Sequence, residues 1–274
     1  HLYYREDVLK ELGIPVPKTY EEVVAASEKI RASGKMQHPY AAAYKAGWNL
    51  AEEFVNMFIG HGGEFFKAGT AEPNINNAKG VATLNMLKKL ASLSNPDYLT
   101  HDSEAIKVEW ESGKVALMTL WASRSGTLLD DEGDAKITAA TKLTGPATVG
   151  GGNIPAATLW WDGFTLAKNR SDSDAEASFI ALAHAASNKK MVADAADQAV
   201  WLVEGFVPGP KSIGVIEAVK MGAKPYPMLP QMGLMHGALG SEIVEFLQGK
   251  ESAEQALKDV EAAYISKAKE QGFL

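Results

Sequence analysis

The chain has 274 residues, 34 acidic against 27 basic, and a formal net charge of −7, so nothing in it favours nucleic acid or an anionic membrane surface. It has no cysteine, which excludes a disulfide framework, a thiolate zinc site and a cysteine nucleophile together. The length allows one large core or two lobes, and no apolar run approaches the roughly 18 residues of a spanning helix.

From Leu2 an apolar, aromatic strand runs into a short amphipathic helix that Gly13-Ile14-Pro15 stops. Thr19 then caps a second helix with Glu22 three residues on, a capping box, and Val23, Val24, Ala26 and Ile30 give that helix its apolar stripe. Residues 40–44 predict a short strand, and residues 50–59 a helix with aromatics on one side, ended by His61-Gly62-Gly63. Glu64-Phe65-Phe66 predicts a short strand, and Asn76 or Asn77 caps a long helix to Ala91 with Val81, Leu84, Leu87 and Leu90 at helical spacing. Residues 102–112 predict a helix stopped by Gly113. The near-continuous apolar run 114–121 then reads as a strand buried on both faces, ending in the small, polar 122–126.

Residues 145–155, rich in Gly, Thr and Pro, mark a crossing between two bodies. Beyond it, 160–169 reads as strand then turn, and Ser173 begins an Ala-rich helix to about Ser187, followed by a further helical stretch. Val207-Pro208-Gly209-Pro210 and residues 224–230 are clear breakers. Helices over 241–248 and 252–270 close the chain, the last with Ser252 and Gln255 as another capping box.

Catalytic patterns are weak. Glu52-Glu53 and Asp130-Asp131-Glu132 are adjacent acids of the kind that form solvated faces, and nothing fixes a glycosidase-like separation between carboxylates. No Gly-x-Ser-x-Gly elbow exists, and His38, His61, His101, His184 and His236 lack metal-ligand spacing. Gly150-Gly151-Gly152 lacks the Lys-Ser/Thr of a phosphate loop, and Met228, Met232 and Met235 read as packing residues. The expectation is therefore no catalytic residue, no metal and no cofactor.

Several blocks in order carry a resemblance: the opener from Leu2 to Glu22; Gly62-Gly63-Glu64-Phe65-Phe66; Glu111-Ser112-Gly113-Lys114-Val115-Ala116-Leu117-Met118; Trp160 to Asn169; and Pro230-Gln231-Met232 followed by Ala253-Glu254-Gln255-Ala256-Leu257-Lys258. Together they resemble family 1 extracellular solute-binding proteins, the maltose-binding-protein-like receptors of ABC importers. The resemblance implies a helix-rich α/β chain of the periplasmic-binding-protein-like II class, with two lobes closing on a solute. Residues 1–145 and 211–274 would form a nearly complete second lobe, and 146–210 an excursion into a partial first lobe. About a hundred residues, on typical lobe size, would then precede the opener, with a secretion signal among them. The excursion's apolar face, Phe179, Leu182, Met191 and Trp201, would want a partner, supplied in a longer chain or by strand exchange with another copy. The implied partners are a neutral carbohydrate (an oligosaccharide, glycoside or polyol) and an ABC permease. The intact form would be a monomer in the periplasm or lipid-anchored outside the cytoplasm. The alternatives are a carbohydrate-active enzyme of helical architecture and a truncated fragment without affinity.

Sugar recognition needs aromatic faces against the apolar side of the ring and polar groups for its hydroxyls. Trp48 and Asn49 sit in a Gly-containing loop before a helix where the resemblance puts cleft residues; the other reading is a core or staple Trp. Trp121 and Arg124 follow a buried strand at its carboxyl end, although an ion pair with Asp130 or Asp131 would equally account for Arg124. In Trp160-Trp161-Asp162 consecutive indoles on a strand face opposite ways, and the resemblance favours Trp161 and Asp162 as the ligand contacts. His236 aligns with an aromatic position of the family, and Tyr226 is held between two prolines; packing and loop anchoring are their plainer roles.

Overall fold

The computed structural model describes residues 1–130, 133–196, 198, 200, 201 and 203–274, with the side chains of Lys189 and Met191 left aside. The chain runs β1 (Leu2–Arg5), α1 (Glu6–Glu11), α2 (Tyr20–Ala32), β2 (Tyr40–Ala42), α3 (Trp48–Gly60), α4 (Ala78–Ala91), α5 (Ser103–Glu111) and β3 (Leu117–Thr119). It continues through α6 (Ser125–Leu128), α7 (Ala135–Ala140), β4 (Thr141–Thr144), β5 (Thr158–Leu159), α8 (Asp172–Ser187), α9 (Lys189–Asp194), α10 (Ile213–Lys220), β6 (Lys224–Pro225), α11 (Met232–Glu242), α12 (Val244–Leu247) and α13 (Ala253–Glu270).

The opener is as expected. Thr19 accepts from the Glu22 N–H while the Glu22 carboxylate takes the Thr19 N–H, so both halves of the capping box form. Strand β1 is central in a mixed sheet ordered β2-β3-β1-β4, antiparallel to β3 and β4, with β2 parallel to β3. The period-two alternation of a strand sends Leu2 and Tyr3 to opposite faces, and both are buried. Leu2, Tyr40, Ala42 and Leu117 join the large core with α2, α3, α4, α11 and α13, while Tyr3, Ala41 and Met118 join a second cluster with Trp110, Ile106 and Leu143. Trp110 meets no solvent, and its indole N–H donates 3.0 Å to Thr141 Oγ1, which satisfies its one polar atom.

Some expectations fail for identifiable reasons. Glu64-Phe65-Phe66 forms no strand, only an isolated bridge between Phe66 and Pro73. The apolar run 114–121 supplies a strand of three residues, because its neighbours are themselves short. Residues 160–167 take no regular structure: β5 finds a parallel partner in β6 for two residues, and the chain beyond has no sheet edge to join. The C-terminal helix was expected over 241–248, but α11 begins at Met232 and breaks near Ile243 into α12; Met232, Met235 and Leu239 face the core, so the helix starts in a Met-Gly-rich stretch without a capping residue. Ser252 caps α13, yet Gln255 turns its amide to Asp259, leaving half a box. α7, β4 and α10 had no strong periodic signal and are additions.

Candidate ligand-binding site

α3 begins at Trp48, directly after Gly47 at φ 99°, a region that a side chain with a Cβ rarely enters. The Gly47 N–H donates 3.0 Å to the Gly240 carbonyl, and a Cβ on Gly240 would collide with the Gly47 backbone. The α11 backbone therefore lies directly against the turn that presents Trp48. One turn earlier on α11, buried His236 has Nε2 3.0 Å from the Trp48 carbonyl oxygen and Nδ1 2.9 Å from the Tyr226 hydroxyl. A carbonyl only accepts, so Nε2 carries the hydrogen and Nδ1 accepts from Tyr226. Burial pushes the imidazole below its usual range, with the Trp48 carbonyl pulling the other way, and burial raises Tyr226. Both groups stay neutral near pH 7.

Aromatic rings gather around this anchor. β5 and β6 lie parallel, and the Tyr226 N–H donates 3.2 Å to the Leu159 carbonyl, so the next residues emerge side by side with Trp160 and Tyr226 ring centroids 4.5 Å apart. The Trp48 centroid lies 5.0 Å from His236, 5.9 Å from Trp121 and 6.0 Å from Trp160. Trp48 and Trp160 are each 50% exposed, so the cluster presents an uncovered aromatic surface. Trp121 is fixed from behind, since the Tyr3 hydroxyl donates 2.9 Å to its carbonyl. Arg124 stands 6.0 Å from the Trp121 ring centroid, with Nη1 2.6 Å from Glu104 Oε1 and Nη2 donating 2.8 Å to Ser103 Oγ. Glu104 thus supplies an ion pair to Arg124; Asp131 and Glu132 lie outside the described residues.

Trp48, Trp121, Tyr226 and His236 come together, with half-buried Asn49 next to Trp48 and Arg124 at the edge. Trp161 and Asp162 do not join them: Trp161 is 70% exposed and Asp162 is exposed beyond it. Trp160 takes the inward place instead. Thr158 shares its face, two residues back, and the Trp160 indole N–H donates 2.9 Å to Thr158 Oγ1. Thr158 Oγ1 in turn lies 2.9 Å from Glu52 Oε1 and 2.9 Å from Asn56 Oδ1. Glu52 overturns the solvated-face expectation, being only 2% exposed one turn after Trp48 on α3. The missed signal was that spacing of four, which puts Glu52 on the same helix face as Trp48. Among the described residues no group of three His, Asp or Glu side chains could hold a metal, and no helix is long and apolar enough to cross a membrane. A concavity of about 340 Å³, lined by Lys35, His38 and Glu109, shares no residue with the rings.

Residues 2–198 match the family described as bacterial extracellular solute-binding protein. The chain belongs to that family. A probable ABC transporter-binding protein of Deinococcus radiodurans is 30% identical over 176 residues, covering 61% of this chain and 40% of that protein. A probable amino-acid ABC transporter periplasmic-binding protein of Sinorhizobium fredii is 29% identical over 131 residues, covering 46% of this chain and 30% of that protein. The chain thus spans less than half of either relative. Among solved structures, maltose-bound MalE3 of T. maritima superposes with a TM-score of 0.81 at 19% identity, over 96% of this chain and 69% of that one. The α/β, helix-rich periplasmic-binding fold expected from the opener is therefore the observed fold.

Proposed function

We propose that this solute-binding protein takes a neutral carbohydrate, an oligosaccharide, glycoside or polyol, on the surface formed by Trp48, Trp121, Trp160, Tyr226 and His236, and serves an ABC importer outside the cytoplasm. The observation that carries the reading is the half-exposed pair Trp48 and Trp160, 6.0 Å apart. Flat rings suit the apolar faces of a sugar, and the polar atoms between them, His236, Tyr226 and Asn49, are uncharged. The nearby charges are already paired with each other, Arg124 with Glu104 and Lys45 with Asp102 at 3.0 Å, so a zwitterion such as an amino acid finds no free counter-charge among them. The maltose in MalE3 supports the same solute class.

In this reading residues 1–145 and 211–274 form one lobe and 146–210 belongs to the other, with Trp160 just beyond the crossing segment. Trp161 and Asp162 stand at its outer rim. Action is capture and release, the closed form being favoured by contacts from both sides. Turnover is no part of this reading. Calorimetry against maltose, ribitol and an amino acid tests the solute class, and Trp48→Ala should remove sugar binding. Selective amino-acid binding would overturn the reading, as would hydrolysis of a nitrophenyl glycoside abolished by changing one carboxylate.

A further inference from the structure

Behind the rings, three groups converge on one hydroxyl. Thr158 Oγ1 has a single hydrogen, accepts the Trp160 indole N–H, and faces two oxygens, Glu52 Oε1 and Asn56 Oδ1, each at 2.9 Å. With Glu52 ionised and the Asn56 amide oxygen turned to the hydroxyl, as it is here, both oxygens can only accept, and they compete for that one hydrogen. With Glu52 protonated the conflict disappears: the carboxyl O–H donates to Thr158, whose own hydrogen goes to Asn56. Glu52 Oε2 is also buried with no hydrogen-bond partner, a position far less costly for a neutral carboxyl oxygen than for an anion.

We propose that Glu52 is a positioning residue for the ring surface: protonated, it completes the hydrogen bonds of Thr158, the acceptor of the Trp160 indole, and on ionising it sets Thr158 between two acceptors and loosens its hold on that ring. The charged and titratable neighbours are few. Glu53 follows it on α3, Tyr226 just beyond β6 feels its charge and is bonded in turn to His236 of α11, and Lys224 pairs in register with Thr158 in the small sheet. Lys224 is exposed and His236 is held neutral, so neither supplies a buried cation to favour the carboxylate. Burial pushes Glu52 up to about 7, opposed by its hydrogen bonds to Thr158, Trp160 and Asn56, so the change falls near neutral pH.

The proposal rests on the ring surface being the solute site only for its consequence on affinity; the test needs no solute. Six indole N–H signals are expected in a ¹⁵N-labelled sample, and the one lost in Trp160→Phe is that of Trp160. Followed from about pH 5 to about pH 9, this signal should move in a single-proton step with a midpoint near 7. In Glu52→Gln, whose amide can donate to Thr158 at every pH, the step should vanish. Thr158→Ser should keep the step and Thr158→Val should lose it, which decides the matter even where Glu52→Gln fails to fold. A Trp160 signal flat in the wild type, or one that titrates alike in Thr158→Val, overturns the proposal and leaves solute binding untouched.

Discussion

Two capped helices of similar length show what a partner contributes. α4, with 14 residues, is capped by Asn77, which accepts from the N–H groups of Lys79 and Gly80, and buries Thr83, Leu84, Leu87 and Leu90 against α3 and α13. α8, with 16 residues, is capped by Ser171 and buries none. Its apolar side chains are there, but Phe179 is 65% exposed and Leu182 half-buried, while Trp201 turns its indole N–H to the Ala195 carbonyl; Met191 lies outside the described side chains. Local signals therefore start and stop both helices, whereas only the first owes its stability to packing. Trp48 opens α3, which packs on α4, and Trp160 lies on the segment leading to α8, so the ring surface draws on both regions.

The sharpest way to break the contrast is in the core. Leu87→Ala on α4 should cost about 3 kcal/mol in urea unfolding, since the side chain is fully buried and leaves a cavity. Gly240→Ala should cost about 2 kcal/mol by overpacking against the Gly47 turn, and should also alter the near-UV dichroism of Trp48. Removing the cap with Thr19→Ala should cost about 1 kcal/mol. In the border region the effect is one of pH. A carboxyl raised on folding contributes stability that is complete below its ordinary range and lost as pH rises through about 7. Glu52→Gln should remove its share of that downward slope and leave the share of Glu53, which burial pushes up to about 8. The smallest effect belongs to α8, where Phe179→Ser should stay within about 0.5 kcal/mol; a loss as large as that of Leu87→Ala would erase the contrast.

What the sequence reveals follows the same division. The opener, its capping box, α4 and α5 are legible because cap residue and apolar period agree in one short window. α11 is not, because Gly233, Gly237 and Gly240 interrupt its pattern, and of these only Gly240 marks a close approach to another backbone, which the assembled fold alone shows. Trp48, Trp121, Tyr226 and His236 are legible as ring and breaker positions. Trp160 is placed inward by the two-residue pairing of β5 with β6, and Glu52 by what lies over it; neither is a property of its own neighbourhood in sequence.

The central claim is that the exposed rings receive an uncharged, hydroxyl-rich solute. Titrating maltose into the ¹⁵N-labelled chain while following its indole signals tests this most directly, because fully buried Trp110 serves as an internal control. The signals of Trp48, Trp121 and Trp160 should move together and saturate while that of Trp110 stays still. Saturable binding that leaves these three unmoved would contradict the account.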